Sequence, residues 1–144
     1  MAETRLIRKD ALGRLFEKMA SGGRRILAPK AKDDKTFFAE VASFDEVCLD
    51  QVQTRSSAKE AVFPKCEAML KYRLGDKGAV SYDEQPFDPP HTVIFGARPC
   101  DARSIAALTA VFNWDCPDKF YLERLARTAV ISISCTRADS DCFC

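Results

Sequence analysis

Apolar residues recur at Leu12, Leu15, Phe16 and Met19, the three- and four-residue spacing of one helix face, with Asp10 placed to cap the start and Gly22-Gly23 to end it. The pattern then shifts to short extended runs. Arg25 to Pro29 and Thr36 to Val41 flank the polar stretch Lys30 to Lys35 and read as a hairpin with a solvated basic tip. From Thr54 to Tyr72 a polar run leads into apolar positions at Met69 and Leu70, which predicts a short helix with Pro64 in its first turn, where a missing N–H costs nothing. Gly75 to Pro90 is rich in Gly, Asp and Pro and reads as a connecting loop.

The last third is more regular. His91 to Gly96 is a β-branched strand run, Asp101 to Phe112 carries a helical stripe of Ile105, Leu108 and Val111 or Phe112, and Ala129 to Ile133 is a second strand. A further short helix falls near Lys119 to Leu125. Strand, helix, strand within this span predicts a right-handed βαβ crossover with two parallel strands. The fold class is therefore α/β: one domain over residues 1–144, a mixed sheet with a C-terminal βαβ unit, and flanking helices.

Composition narrows the partners. Of 144 residues, 47% are hydrophobic and 30% charged, and 22 Lys plus Arg against 21 Asp plus Glu leave no basic footprint for nucleic acid. No run approaches a membrane span, and the start leads into the charged Arg8-Lys9-Asp10 rather than a signal-peptide core, so the expected compartment is the cytoplasm. Thiols stay reduced there, and seven cysteines in such a chain read as ligands, reactive thiols or small core residues before disulfides.

The predicted topology sorts them. Cys100 follows the first strand of the βαβ unit at the start of its helix, and Cys135 follows the second strand. Parallel strands about 4.8 Å apart bring both thiols to the carboxyl edge of the sheet, where open α/β folds hold ligands. The polar segment Thr136 to Asp141 is short enough to fold Cys142 and Cys144 back over the same edge. Four thiolates suit a 4Fe-4S cluster and equally a structural zinc, and the spacing matches neither a zinc ribbon nor a ferredoxin run, so spacing leaves the metal open. Cys100 at a helix N-terminus, with Arg98 and Arg103 nearby, suits anionic charge, while a small residue packed at a strand end remains the other reading. Cys48 and Cys66 read as core packers and Cys116 as structural.

The run Val93 to Ser104, containing Arg98-Pro99-Cys100-Asp101, with Phe112, Asp118 to Tyr121, Ser134-Cys135 and Asp141-Cys142-Phe143-Cys144, closely resembles the 4Fe-4S dicluster-domain proteins. These include the A subunit of anaerobic sulfite reductase and the β subunit of sulfhydrogenase. Thr54-Arg55-Ser56, Lys59-Glu60 and Phe63-Pro64 resemble that family's polar motif in the same order. The resemblance implies an electron relay between a flavin-containing partner and a catalytic reductase or hydrogenase subunit, with Cys100, Cys135, Cys142 and Cys144 as ligands of a 4Fe-4S cluster. Asp101 is either a further contact of the cluster or, in the more ordinary role, a helix cap. Family members continue into a ferredoxin-like module with further cysteine runs, and this chain stops on Cys144, so a truncated domain is expected.

Two other readings stand beside the electron relay. One is a zinc-stabilised or metal-free interaction module in which the same cysteines serve structure. The other is a thiol or flavin enzyme acting through Cys100. Against the latter, His91 belongs at the opposite end of its strand from Cys100, and neither Gly22-Gly23 nor Gly75 to Gly78 has the strand-loop-helix context of a phosphate loop.

Overall fold

Every residue of the strand beginning at Thr92 is buried, and the other elements are arranged around it. The computed structural model describes residues 7–83, 87–142 and 144. Its elements in chain order are α1 (Leu12–Ser21), β1 (Arg25–Lys32), β2 (Lys35–Glu40), β3 (Lys71–Leu74), β4 (Val80–Asp83), β5 (Thr92–Ala97), α2 (Pro99–Phe112), α3 (Lys119–Ala126) and β6 (Thr128–Ser132). Four strands form a mixed sheet in the order β2-β1-β5-β6, with β1, β5 and β6 parallel and β2 antiparallel to β1. The α/β class and the parallel C-terminal strand pair stand as read from the sequence, and both expected helices, α2 and α3, lie between β5 and β6 in the chain.

Side chains alternate across the sheet. Ile26, Ala28, Val93 and Phe95 pack with Phe16 of α1 and with Val41 on one face, whereas Leu27, Ile94 and Ala97 pack with Ile105 of α2 and Tyr121 of α3 on the other. A parallel strand covered on both faces has no polar side to show, which is why β5 reads as a continuous apolar run. Phe95 meets Phe16 edge-on with centroids 5.9 Å apart. On the opposite layer Tyr121 stacks on Phe112 at 4.5 Å, and its hydroxyl donates to the Ile105 carbonyl at 3.1 Å, so burial leaves that oxygen satisfied.

The upper end of β5 is set by Gly96. Its φ of +81° marks a bulge at which the register with β6 shifts between Phe95 and Ala97. A Cβ there would stand 2.9 Å from Leu49 Cδ2 and 3.2 Å from Pro29 Cδ. Pro29 itself sits beyond the last β1–β5 pair, Leu27 with Ile94, where its missing N–H costs the ladder nothing on that side.

After β2 the chain turns through Ser43 to Glu46, a capped single turn. Glu46 Oε1 accepts the backbone N–H groups of Ala42 and Ser43 at 3.0 and 3.1 Å, and Oε2 pairs with Lys30. The Lys30 hydrogen bond first, then those two N–H donors, hold the Glu46 carboxyl at about 2 against an ordinary 4.5. This turn launches the loop that reaches the cysteine edge.

Several local expectations are corrected. Asp10 lies in a 3-10 turn ahead of α1 and pairs with Arg8 at 3.0 Å instead of capping the helix. The β1–β2 strands run on to Lys32 and Lys35, leaving only a two-residue turn at Asp33-Asp34. The described residues 64–70 form no helix. The core takes Ala58, Ala61 and Val62 from a 3-10 turn upstream, and Met69, Leu70 and Cys66 are exposed, so Cys66 is not a core packer. Val111 also faces solvent, leaving Leu108 and Phe112 to pack beside Ile105. Part of the expected loop from Gly75 to Pro90 is a hairpin strand. β3 and β4 pair Tyr72 with Tyr82 and Leu74 with Val80, and Lys77 and Gly78 at positive φ make the turn. The period-two alternation of these short runs was masked by their Gly- and Pro-rich surroundings, and residues 84–86 of that expected loop lie outside the described residues.

Two outcomes follow for stability. Gly96→Ala should cost about 2 kcal/mol, because a positive φ and a crowded Cβ act together, and should lower the urea midpoint accordingly. An unchanged midpoint would mean that the bulge relaxes freely. For Glu46, a depressed carboxyl contributes fully above pH 4.5, and its contribution fades as pH falls toward 2. Glu46→Gln should therefore lower the midpoint near neutral pH, with a deficit that shrinks across that acid window, and urea titrations at stepped pH read it directly.

Candidate functional site

Cys100 occupies the second position of α2, immediately after Pro99, because β5 ends at Ala97 and the helix begins at once. Proline at the first helical position fixes φ where no N–H is needed. Asp101 acts as the cap: its Oδ2 accepts the Arg98 backbone N–H at 3.3 Å. Cys135 lies three residues beyond β6. The Ala97 carbonyl accepts both the Ile133 N–H at 2.9 Å and the Ser132 hydroxyl at 3.1 Å, which keeps the two strand ends side by side as they leave the sheet.

Cys142 and Cys144 come back over this edge. All four cysteines line one cavity of about 390 Å³, together with Asp101, Ser104, Asp141 and the loop residues 52–57 and 59. Arg98 also lines the cavity, and Arg103 does not. Three cationic residues, Arg55, Lys59 and Arg98, thus share the cavity lining with the thiols. Cys48 is half-buried in the loop after Glu46, its N–H donating to the Pro29 carbonyl at 2.7 Å, and Cys66 and Cys116 are exposed and stand away from the cavity. His91 is exposed at the start of β5, the end opposite Cys100, so no cysteine-histidine pair forms at this edge.

Hydrogen bonds fix the cavity's polar wall. The Arg55 N–H donates to the Thr36 carbonyl at 2.7 Å, and Ser56 Oγ accepts the Phe38 N–H at 2.8 Å and donates to the Phe38 carbonyl at 3.2 Å, so this segment is laced to the outer strand β2. Arg98 Nη2 donates to the Leu49 carbonyl at 3.0 Å and ties the same loop to the start of α2. On the tail, Arg137 Nη2 donates to the Asp50 carbonyl at 2.7 Å and Gln53 Nε2 donates to Asp139 Oδ1 at 2.9 Å.

The Cys142 sulfur accepts the Asp139 backbone N–H at 3.4 Å and donates to Asp139 Oδ1 at 3.2 Å. The backbone donor pulls the thiol down. The carboxylate's hydrogen bond and negative charge, with partial burial, outweigh it and hold the thiol above its ordinary value. Gln53 and Asp139 carried no signal in the sequence, being ordinary polar residues in polar stretches.

The donor set fits a thiolate-ligated cluster better than a hard-cation site: four sulfurs, cations to offset their charge, and no imidazole. Among the described residues no three His, Cys, Asp or Glu side chains stand close enough together to chelate a single ion. Among them, too, no helix is long and apolar enough to cross a membrane.

No protein-family model matches the chain, and no solved structure matches it. Among curated proteins it is similar to sulfhydrogenase 2 subunit beta of Pyrococcus furiosus, with 30% identity over 129 residues that take in 90% of this chain and 36% of that protein. The chain thus spans little more than a third of the length of the curated relative it matches, and it is a distant homologue of that beta subunit.

Proposed function

We propose that this chain is the iron-sulfur part of an electron-transfer subunit in a redox complex, with Cys100, Cys135, Cys142 and Cys144 as the ligands of one 4Fe-4S cluster. The observation that carries the reading is that these four thiols, from two strand ends and one tail, line the same cavity. A cluster of four irons takes one thiolate on each iron, so its ligands ring a volume, whereas a zinc ion draws four sulfurs to within about 2.3 Å of one point. Four thiols that line one cavity suit the first arrangement. The distant homology to a sulfhydrogenase beta subunit supports the same class of function.

When bound, the cluster supplies a one-electron relay. The chain's own residues would do the rest. Ala97 and Ser132 fix the strand ends, and Asp101 holds the first turn of α2 as its cap. Arg55, Lys59 and Arg98 place positive charge beside the thiolates, which favours the reduced, more negative state and raises the potential. No side chain here is asked to make or break a bond. Electrons would pass between a flavin-containing partner and a catalytic reductase or hydrogenase subunit, neither of which this chain itself supplies.

Anaerobic reconstitution with iron and sulfide tests the reading. The protein should turn brown and hold about four irons and four sulfides per chain. Cys100→Ser and Cys135→Ser should each lose most of that chromophore, while Cys66→Ser and Cys116→Ser should keep it. A colourless protein that retains zinc instead would overturn the proposal in favour of a structural module, as would equal loss in all four variants.

A further inference from the structure

Among its described residues the tail that carries Cys142 has no strand or helix of its own, yet two of its polar groups and one from a distant loop converge on one carboxylate. Asp139 Oδ1 accepts from Gln53 Nε2 at 2.9 Å, from the Asp141 N–H at 3.1 Å and from the Cys142 thiol at 3.2 Å. Gln53 is 86 residues away in sequence, in the loop that Arg98 ties to α2 through the Leu49 carbonyl. That loop therefore touches both sources of thiols: the helix start that bears Cys100 and the tail that bears Cys142.

We infer that Gln53 and Asp139 form a clasp that seats Cys142 on the cavity wall, and that both are positioning residues for that thiol in cluster binding. The inference rests on the electron-transfer reading above. Asp139 has two parts with different effects. Its backbone N–H, 3.4 Å from the sulfur, is placed to donate to a ligating thiolate, and such donors raise a cluster's potential. Its carboxylate, turned toward Gln53, adds negative charge close to the same sulfur and lowers that potential. A thiolate has no proton to give the carboxylate, so in the loaded protein Gln53 and the Asp141 N–H become the groups that keep Asp139 in place.

The test has one readout that needs no cluster and two that do. Millisecond hydrogen exchange on the full chain without metal should show the tail amides at Asp141 and Cys142 exchanging roughly tenfold faster in Gln53→Ala, the effect of losing one hydrogen bond to a charged group. Gln53→Glu should loosen the tail similarly by opposing two carboxylates, and adding Asp139→Asn to it should restore protection, because the donor and acceptor have changed sides. After anaerobic reconstitution, Gln53→Ala should release iron to a chelator several times faster than wild type. Asp139→Asn, which keeps the backbone donor and removes the charge, should shift the midpoint potential upward. Unchanged tail exchange in Gln53→Ala, or no rescue in the double variant, overturns the clasp. A wild-type chain that takes up no iron overturns the electron-transfer reading and the seating role together, and the metal-free exchange result still shows whether the hydrogen bonds hold the tail.

Discussion

Parallel pairing of β5 with β6 is the constraint from which the candidate site follows. Parallel strands end on the same edge of a sheet, so whatever follows β5 and whatever follows β6 leave the core together. Here those successors are Pro99-Cys100 and Ser134-Cys135. The pairing in turn depends on burying Val93, Ile94 and Phe95 completely between two layers of helices. At roughly 25 cal/mol per Å² of apolar surface, the burial of these three side chains is a main force holding the strand ends in place. The thiols at 100 and 135 are therefore held by the hydrophobic core, although neither is part of it.

The other half of the cavity is held differently. Residues 49–57 have no regular structure, and they are fixed by Ser56 and Arg55 against β2, by Arg98 from the start of α2 and by Arg137 and Gln53 toward the tail. Each such bond contributes about 0.5–1.5 kcal/mol net, somewhat more where a charge is involved. This wall is thus softer than the strand-held wall. Gly96 links the two: it lets the backbone of β5 bulge under Leu49, at the point where the loop crosses the sheet edge.

Much of this was legible in the residues, and the pattern of what was not is physical. Long-period features survived translation: α1 from Leu12, Phe16 and Met19, the β1–β2 hairpin, and the parallel pair that carries Cys100 and Cys135. The four cysteines that topology and family resemblance selected do line one cavity. Local features failed where tertiary packing decided. Met69 and Leu70 suggested a helix that the core had no room to bury, because Ala58, Ala61 and Val62 had already filled that side of the sheet. The β3–β4 hairpin was hidden because four-residue strands next to Gly75 and Gly78 look like loop by composition. Gln53 and Asp139 could not be found at all, since a single hydrogen bond across 86 residues leaves no periodicity to read.

The difference between the two walls bears on how a bound group would couple to folding. Binding free energy is reduced by whatever ordering the ligands still require. Cys100 and Cys135 need little, because the sheet places them before any group arrives. Cys142 and Cys144 belong to a tail tethered by a few exposed polar contacts, so most of the ordering cost falls there. A group gripped first by the rigid pair would then draw in the tail, and the hydrogen bonds that already restrain residues 137–142 reduce the entropy lost in that second step. The division also gives the polar loop a part in the proposed site, whose donors would all be sulfur. In the proposed site the core would place two of the thiols through the strand ends, and the loop would keep the tail that bears the other two close to them.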